Sequence, residues 1–139
     1  MRLRSVFLFC LSLPLTFFIQ SAHADEHDSH MLVLPPEPAP TLTLDAPIAA
    51  LLAKGIVVLP FHTQHVRIMP VYGEPATHIQ PRVGHLHITL DHASWHWIQS
   101  NDDVIVIHGL SPGLHHIKVE LAEADHRVTA AQESDLTIP

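Results

Sequence analysis

The chain has 139 residues, 47% of them hydrophobic, and a formal net charge of −7. Seven Lys and Arg against fourteen Asp and Glu leave no basic patch to contact phosphates, which excludes nucleic-acid binding. The single cysteine excludes an internal disulfide, so a packed core or a bound ligand must hold the fold.

Residues 1–24 read as a secretory signal peptide. Arg2 and Arg4 form the basic start, Val6 to Ile19 the apolar run, and Ala22-His23-Ala24 the cleavage site. The apolar run is short for a membrane span, so none is expected after cleavage. Cys10 lies within that run with too little apolar sequence before it for lipid attachment, and the mature chain has no cysteine. The protein is therefore expected in the periplasm or outside the cell.

Residues 25–40 are rich in proline and predict a disordered arm. Cleavage after Ala24 would expose Asp25-Glu26-His27. A free amine at Asp25 with an imidazole at His27 is similar to the amino-terminal copper and nickel motif, in which two deprotonated amides complete a square plane. The arm thus offers Asp25 and His27 as an independent metal site, and His30 and Met31 lie just behind it. The remaining residues, 41–139, are of ordinary size for one domain.

Thr41–Leu44 reads as an edge strand. Residues 46–53 predict a short helix, with Asp45 as its cap, Lys54 in its last turn and Gly55 at its end. Strands follow at Ile56–Pro60 and His65–Tyr72, where Pro60 and Pro70 mark edges or ends. Residues 73–82 read as a loop broken by Gly73, Pro75 and Pro81.

Residues 84–98 predict a β-hairpin. Leu86, Ile88 and Leu90 alternate with His85, His87, Thr89 and Asp91. A turn at His92-Ala93 pairs Ile88 with Trp97 and Leu90 with Trp95, and so puts both tryptophans on the core side. His85, His87 and His96 then share the other face. Two histidines two apart on one strand and a third on its neighbour can give three imidazoles to one ion, as zinc and copper sites do. A slip of one residue would send His96 to the tryptophan side and break the trio. The competing reading leaves these histidines solvated on the polar face of a half-exposed strand.

Gln99–Asp103 reads as a turn and Asp103–Gly109 as an apolar strand. A corner at Leu110–Gly113 leads into residues 114–121, where Ile117, Val119 and Leu121 alternate with polar residues. His115 falls in phase with the apolar set, so it is expected to be buried and satisfied by a backbone carbonyl. Asp125-His126 marks the last hairpin turn, and Arg127–Ala130 and Asp135–Pro139 complete the sheet.

The corner from Leu110 to Leu121 resembles the entry to the penultimate strand of immunoglobulin-like and fibronectin-like sandwiches. Through Gly84-His-Leu-His87, Trp95-His-Trp97 and Pro112-Gly-Leu-His115 to His126, residues 44–139 resemble a family of small bacterial exported proteins known only as a domain of unknown function. That resemblance implies export and a β-sandwich, and brings no activity. His85-x-His87-x-x-x-Asp91 is similar to the first cupin metal motif with Asp in place of Glu, but the second motif is missing. The His-x-His strand is also similar to that of copper–zinc superoxide dismutases, without their second histidine cluster or disulfide.

These readings converge on an all-β, antiparallel, immunoglobulin-like sandwich with one short helix. Its expected function is to bind copper or zinc at His85, His87 and His96, for buffering or delivery. The alternative is a structural or interaction module, partnered by a periplasmic protein, whose surface histidines hold no metal and titrate near neutral pH. No nucleophile elbow, phosphate loop or His-Glu-x-x-His motif is present, so an enzyme has the least support.

Overall fold

The computed structural model describes residues 36–139. The expected signal peptide and most of the expected arm, including Asp25 and His27, lie outside the described residues. The domain is all-β apart from one helical turn and one 3-10 segment. In chain order the elements are β1 (Thr41–Leu44), α1 (Ala49–Leu52), β2 (Ile56–Leu59), β3 (Phe61–Gln64), β4 (Arg67–Ile68), a 3-10 helix (Glu74–His78), β5 (Val83–Leu90), β6 (Trp97–Gln99), β7 (Ile105–His108), β8 (Gly113–Glu123) and β9 (Val128–Ile138).

The strands form three sheets. β1 pairs with β3 and β2 with β7, both antiparallel. The main sheet runs β4-β5-β8-β9, with β6 also on β5, and its β4–β5 pairing is parallel. Alternation decides which face of the main sheet meets the other two. Leu86 and Ile88 of β5 and Ile117, Val119 and Leu121 of β8 pack with Val57, Leu59, Ile105 and Ile107 of β2–β7, and with Leu42 of β1. No helix among the described residues is long and apolar enough to cross a membrane.

The other face of the main sheet is not simply wet. A second, small cluster of Ala76, Val83 and Ala124, backed by Met69 and Val71, lies there. Val83 has the same strand parity as His85 and His87. The segment from Met69 through the 3-10 helix therefore covers the end of the sheet that carries these two histidines. Gly73 N–H donates to Ala124 O at 2.8 Å and ties this cover to the β8–β9 turn.

Several local expectations change. The helix shrinks to Ala49–Leu52, because Ile48 remains extended at its N-cap and no side chain caps it. Asp45 instead bonds His62. Gly55 ends the helix as expected, with φ +66° and its N–H on Leu52 O. The expected strand over residues 65–72 reduces to Arg67–Ile68, while Phe61–Gln64, unassigned by pattern, pairs with β1. The last two expected strands are one continuous β9.

The β5–β6 pairing has the expected register, Ile88 opposite Trp97. Its turn, however, sits one residue early. Asp91 and His92 both take positive φ, and Ala93 N–H bonds Leu90 O, as in a type I′ turn. The residues from Ala93 to His96 are left outside the ladder. Trp95 is consequently 63% exposed rather than in the core, whereas Trp97 packs against the core.

Candidate metal centre

His85 and His87 project from β5 on the covered face. His85 is fully buried and His87 nearly so. Gly84 makes this possible. A Cβ there would lie 2.4 Å from Ala122 O and 3.1 Å from Val66 Cγ2, so only glycine lets β8 and the β4 segment close on β5. Opposite His85 on β8 is Ala122, a small neighbour that leaves room above the ring.

The β8–β9 turn fills that room. Glu123 N–H bonds Arg127 O and His126 N–H bonds Glu123 O, so a three-residue loop joins the strands, with His126 at its left-handed third position (φ +66°). Glycine is the usual occupant of such a position, and a larger residue there is strained. Glu123 is buried and pairs with Arg82 and Arg127, which clamps the base of the loop. A β-bulge between Leu121 and Ala122 leaves one extra residue on β9 next to the turn.

Three ring nitrogens converge as a result. His85 Nε2 lies 2.9 Å from His87 Nε2 and 3.0 Å from His126 Nδ1, and His87 Nε2 lies 3.2 Å from His126 Nδ1. Each imidazole nitrogen carries either one proton or one lone pair in the ring plane. Three such atoms meeting at one point cannot all be paired with one another, whereas a single cation takes all three lone pairs. With metal–nitrogen bonds of about 2.0–2.1 Å, these separations subtend roughly 90–105° at the ion, a comfortable angle for tetrahedral or octahedral coordination.

The electrostatics favour neutral rings. Burial lowers the His85 pKa to about 4, helped by His87, His126 and His96. The His87 pKa is also lowered, first by burial and then by His96 and His126, with Glu120 opposing. Neutral imidazole is the form that binds metal. The other nitrogen of His85, Nδ1, is buried without a hydrogen-bond partner. Tyr72 packs on this ring edge to face, 5.0 Å between centroids, and stacks on His126 at 5.9 Å.

Of the residues singled out by sequence, the structure brings His85 and His87 together and replaces the third partner. His96, in the unpaired segment before β6, stacks on the face of His87 with centroids 4.2 Å apart. His126 takes the remaining corner of the triangle. Its signal in the sequence is the turn at Asp125-His126, a pattern that marks chain reversal and carries no ligand spacing. His115 is buried as expected, and its Nε2 meets Ser111 O at 2.8 Å.

The chain belongs to a family of unknown function (DUF6130), whose model matches residues 16–139. It matches no curated protein and no solved structure.

Proposed function

We propose that this domain is an exported immunoglobulin-like β-sandwich that binds one transition-metal ion through His85, His87 and His126. One observation carries the reading: three imidazole nitrogens within 2.9–3.2 Å of one another, two of them on buried rings. Burying two histidines side by side costs free energy unless something satisfies both, and a shared cation does so. An all-imidazole donor set suits copper and zinc better than hard cations such as calcium or magnesium. Buffering or delivery of copper or zinc in the periplasm fits a signal-like leader and an arm with its own amino-terminal Asp25 and His27 donors.

The test is metal analysis after dialysis of the full chain against trace Zn(II) and Cu(II). The reading expects one equivalent held by the domain and lost in both His85→Ala and His126→Ala. Retention of that equivalent in both variants would refute it.

A further inference from the structure

The same triangle limits what can complete the coordination sphere. Among the described residues, the group of His, Cys, Asp and Glu close enough to share an ion ends at His85, His87 and His126. Closed structural zinc sites use four protein ligands, whereas three leave a position for an external one. Three nitrogens this close together occupy one side of the ion, because N–metal–N angles of roughly 90–105° place the metal above their plane. The other hemisphere must be filled from elsewhere.

The neighbouring aromatic rings act as walls, not donors. The planes of His96 and His87 differ by only 20°, and their centroids are 4.2 Å apart. His96 thus covers the face of His87, and it is not one of the residues whose ligand atoms lie within 4.8 Å of one another. Tyr72 lies parallel to His126, within 7°, and its hydroxyl is engaged by Ser100 Oγ. His85 and His87 are buried, but His126 is exposed. Solvent therefore reaches the triangle from the His126 side.

We infer that the bound ion keeps an exchangeable coordination position open to solvent beside His126, and that this position takes a small monodentate oxygen or nitrogen donor such as a simple anion. The inference rests on the metal-binding reading and deepens it: the site is an open Lewis-acid centre and not a sealed store.

The experiment loads the full chain with one equivalent of Co(II), whose visible spectrum reports ligand number and exchange, and titrates in sodium azide. The expected result is a saturable spectral change at one azide per cobalt. It should be absent in His126→Ala, where metal is lost, and preserved in His96→Ala. Bound cobalt whose spectrum ignores azide would overturn the open position. If azide then acted only on His96→Ala, His96 would be the group that closes the site. Failure to take up cobalt, zinc or copper, measured before azide is added, would overturn the metal reading itself and this inference with it.

Discussion

Two histidine neighbourhoods occupy opposite ends of β5, and they are electrostatic opposites. At the Val83 end, His85, His87 and His126 turn nitrogens toward one another, and burial holds His85 and His87 below the usual histidine range. At the Leu90 end, His115 lies between two acceptors: its Nδ1 is 2.8 Å from Asp91 Oδ2 and its Nε2 is 2.8 Å from Ser111 O. Only an imidazolium satisfies both by donating twice. The ring accordingly holds its proton above the usual histidine range, first through Ser111 and then through Asp91. The Asp91 carboxyl falls below its ordinary range, chiefly because it also accepts the His116 backbone N–H. The residue type is the same at both ends. What faces the ring decides whether it stays neutral or carries a proton.

The largest effect should come from removing a corner of the triangle. Disturbing a ligand's outer partner typically costs 10–100-fold in affinity, so loss of a ligand should weaken binding by more than about a hundredfold. His126→Ala is the cleaner variant because its side chain is exposed. Isothermal titration with Zn(II) should show the heat of one site in the parent and none in the variant, with the unfolding midpoint of the metal-free protein little changed. The same titration on His115→Gln should retain the site, since His115 belongs to the other end of the strand.

Gly84→Ala should damage both regions through the backbone. The added methyl would meet Ala122 O at 2.4 Å, so β5 and β8 must separate. Overpacking of this kind costs about 1–3 kcal/mol, and urea unfolding should report it. Because β5 carries the two buried histidines of the triangle, the proposed metal uptake should fall with stability.

The two ends should also respond to pH with opposite sign. A raised folded pKa means that the stabilisation from His115 is complete below the unfolded value of 6.5 and is lost as pH rises through the folded value. The depressed Asp91 contributes above 3.8 and loses its contribution as pH falls through its folded value. Together they stabilise most between 3.8 and 6.5. The stability difference between parent and His115→Gln, on the order of 1 kcal/mol, should therefore be largest between pH 3.8 and 6.5 and shrink as pH rises through the raised His115 value. A difference that grew with pH would show that His115 is neutral. In the metal-free protein His85 works the other way. Its contribution is complete above 6.5 and is lost as pH falls toward about 4, because the unfolded ring takes a proton that the buried one refuses.

The sequence shows one end of this comparison better than the other. The alternation over residues 84–91, the pairing of Ile88 with Trp97 and the buried, carbonyl-bound His115 are all local in pattern, and all are legible. The burial of His85 and His87 is not. Histidine at alternate positions reads as a wet face, whereas the ring packed on His85 is Tyr72, 13 positions earlier in the chain, with Met69, Val71 and Ala76 clustered on Val83 beside it. His126 is harder still. It meets His85 across 41 residues and does so because a turn residue adopts a conformation that a period-two pattern does not record. The exposure of Trp95 follows from the turn falling at Asp91-His92, one residue before the position that would have paired Leu90 with Trp95.

That unusual conformation gives the smallest and most discriminating effect. A non-glycine residue in the left-handed region costs about 1–2 kcal/mol, and glycine returns roughly 0.5–1 kcal/mol of that through the greater freedom of its unfolded chain. His126→Gly should thus raise the stability of the metal-free protein by a few tenths of a kcal/mol to about 1 kcal/mol, while metal uptake disappears. Two measurements on one variant then move in opposite directions. If His126 were merely a turn residue, the variant would gain stability and lose nothing. If the ring stabilised the fold by packing on Tyr72, the variant would lose stability as well. Gain of stability together with loss of the ion is the outcome that marks a residue held in a strained position for its nitrogen.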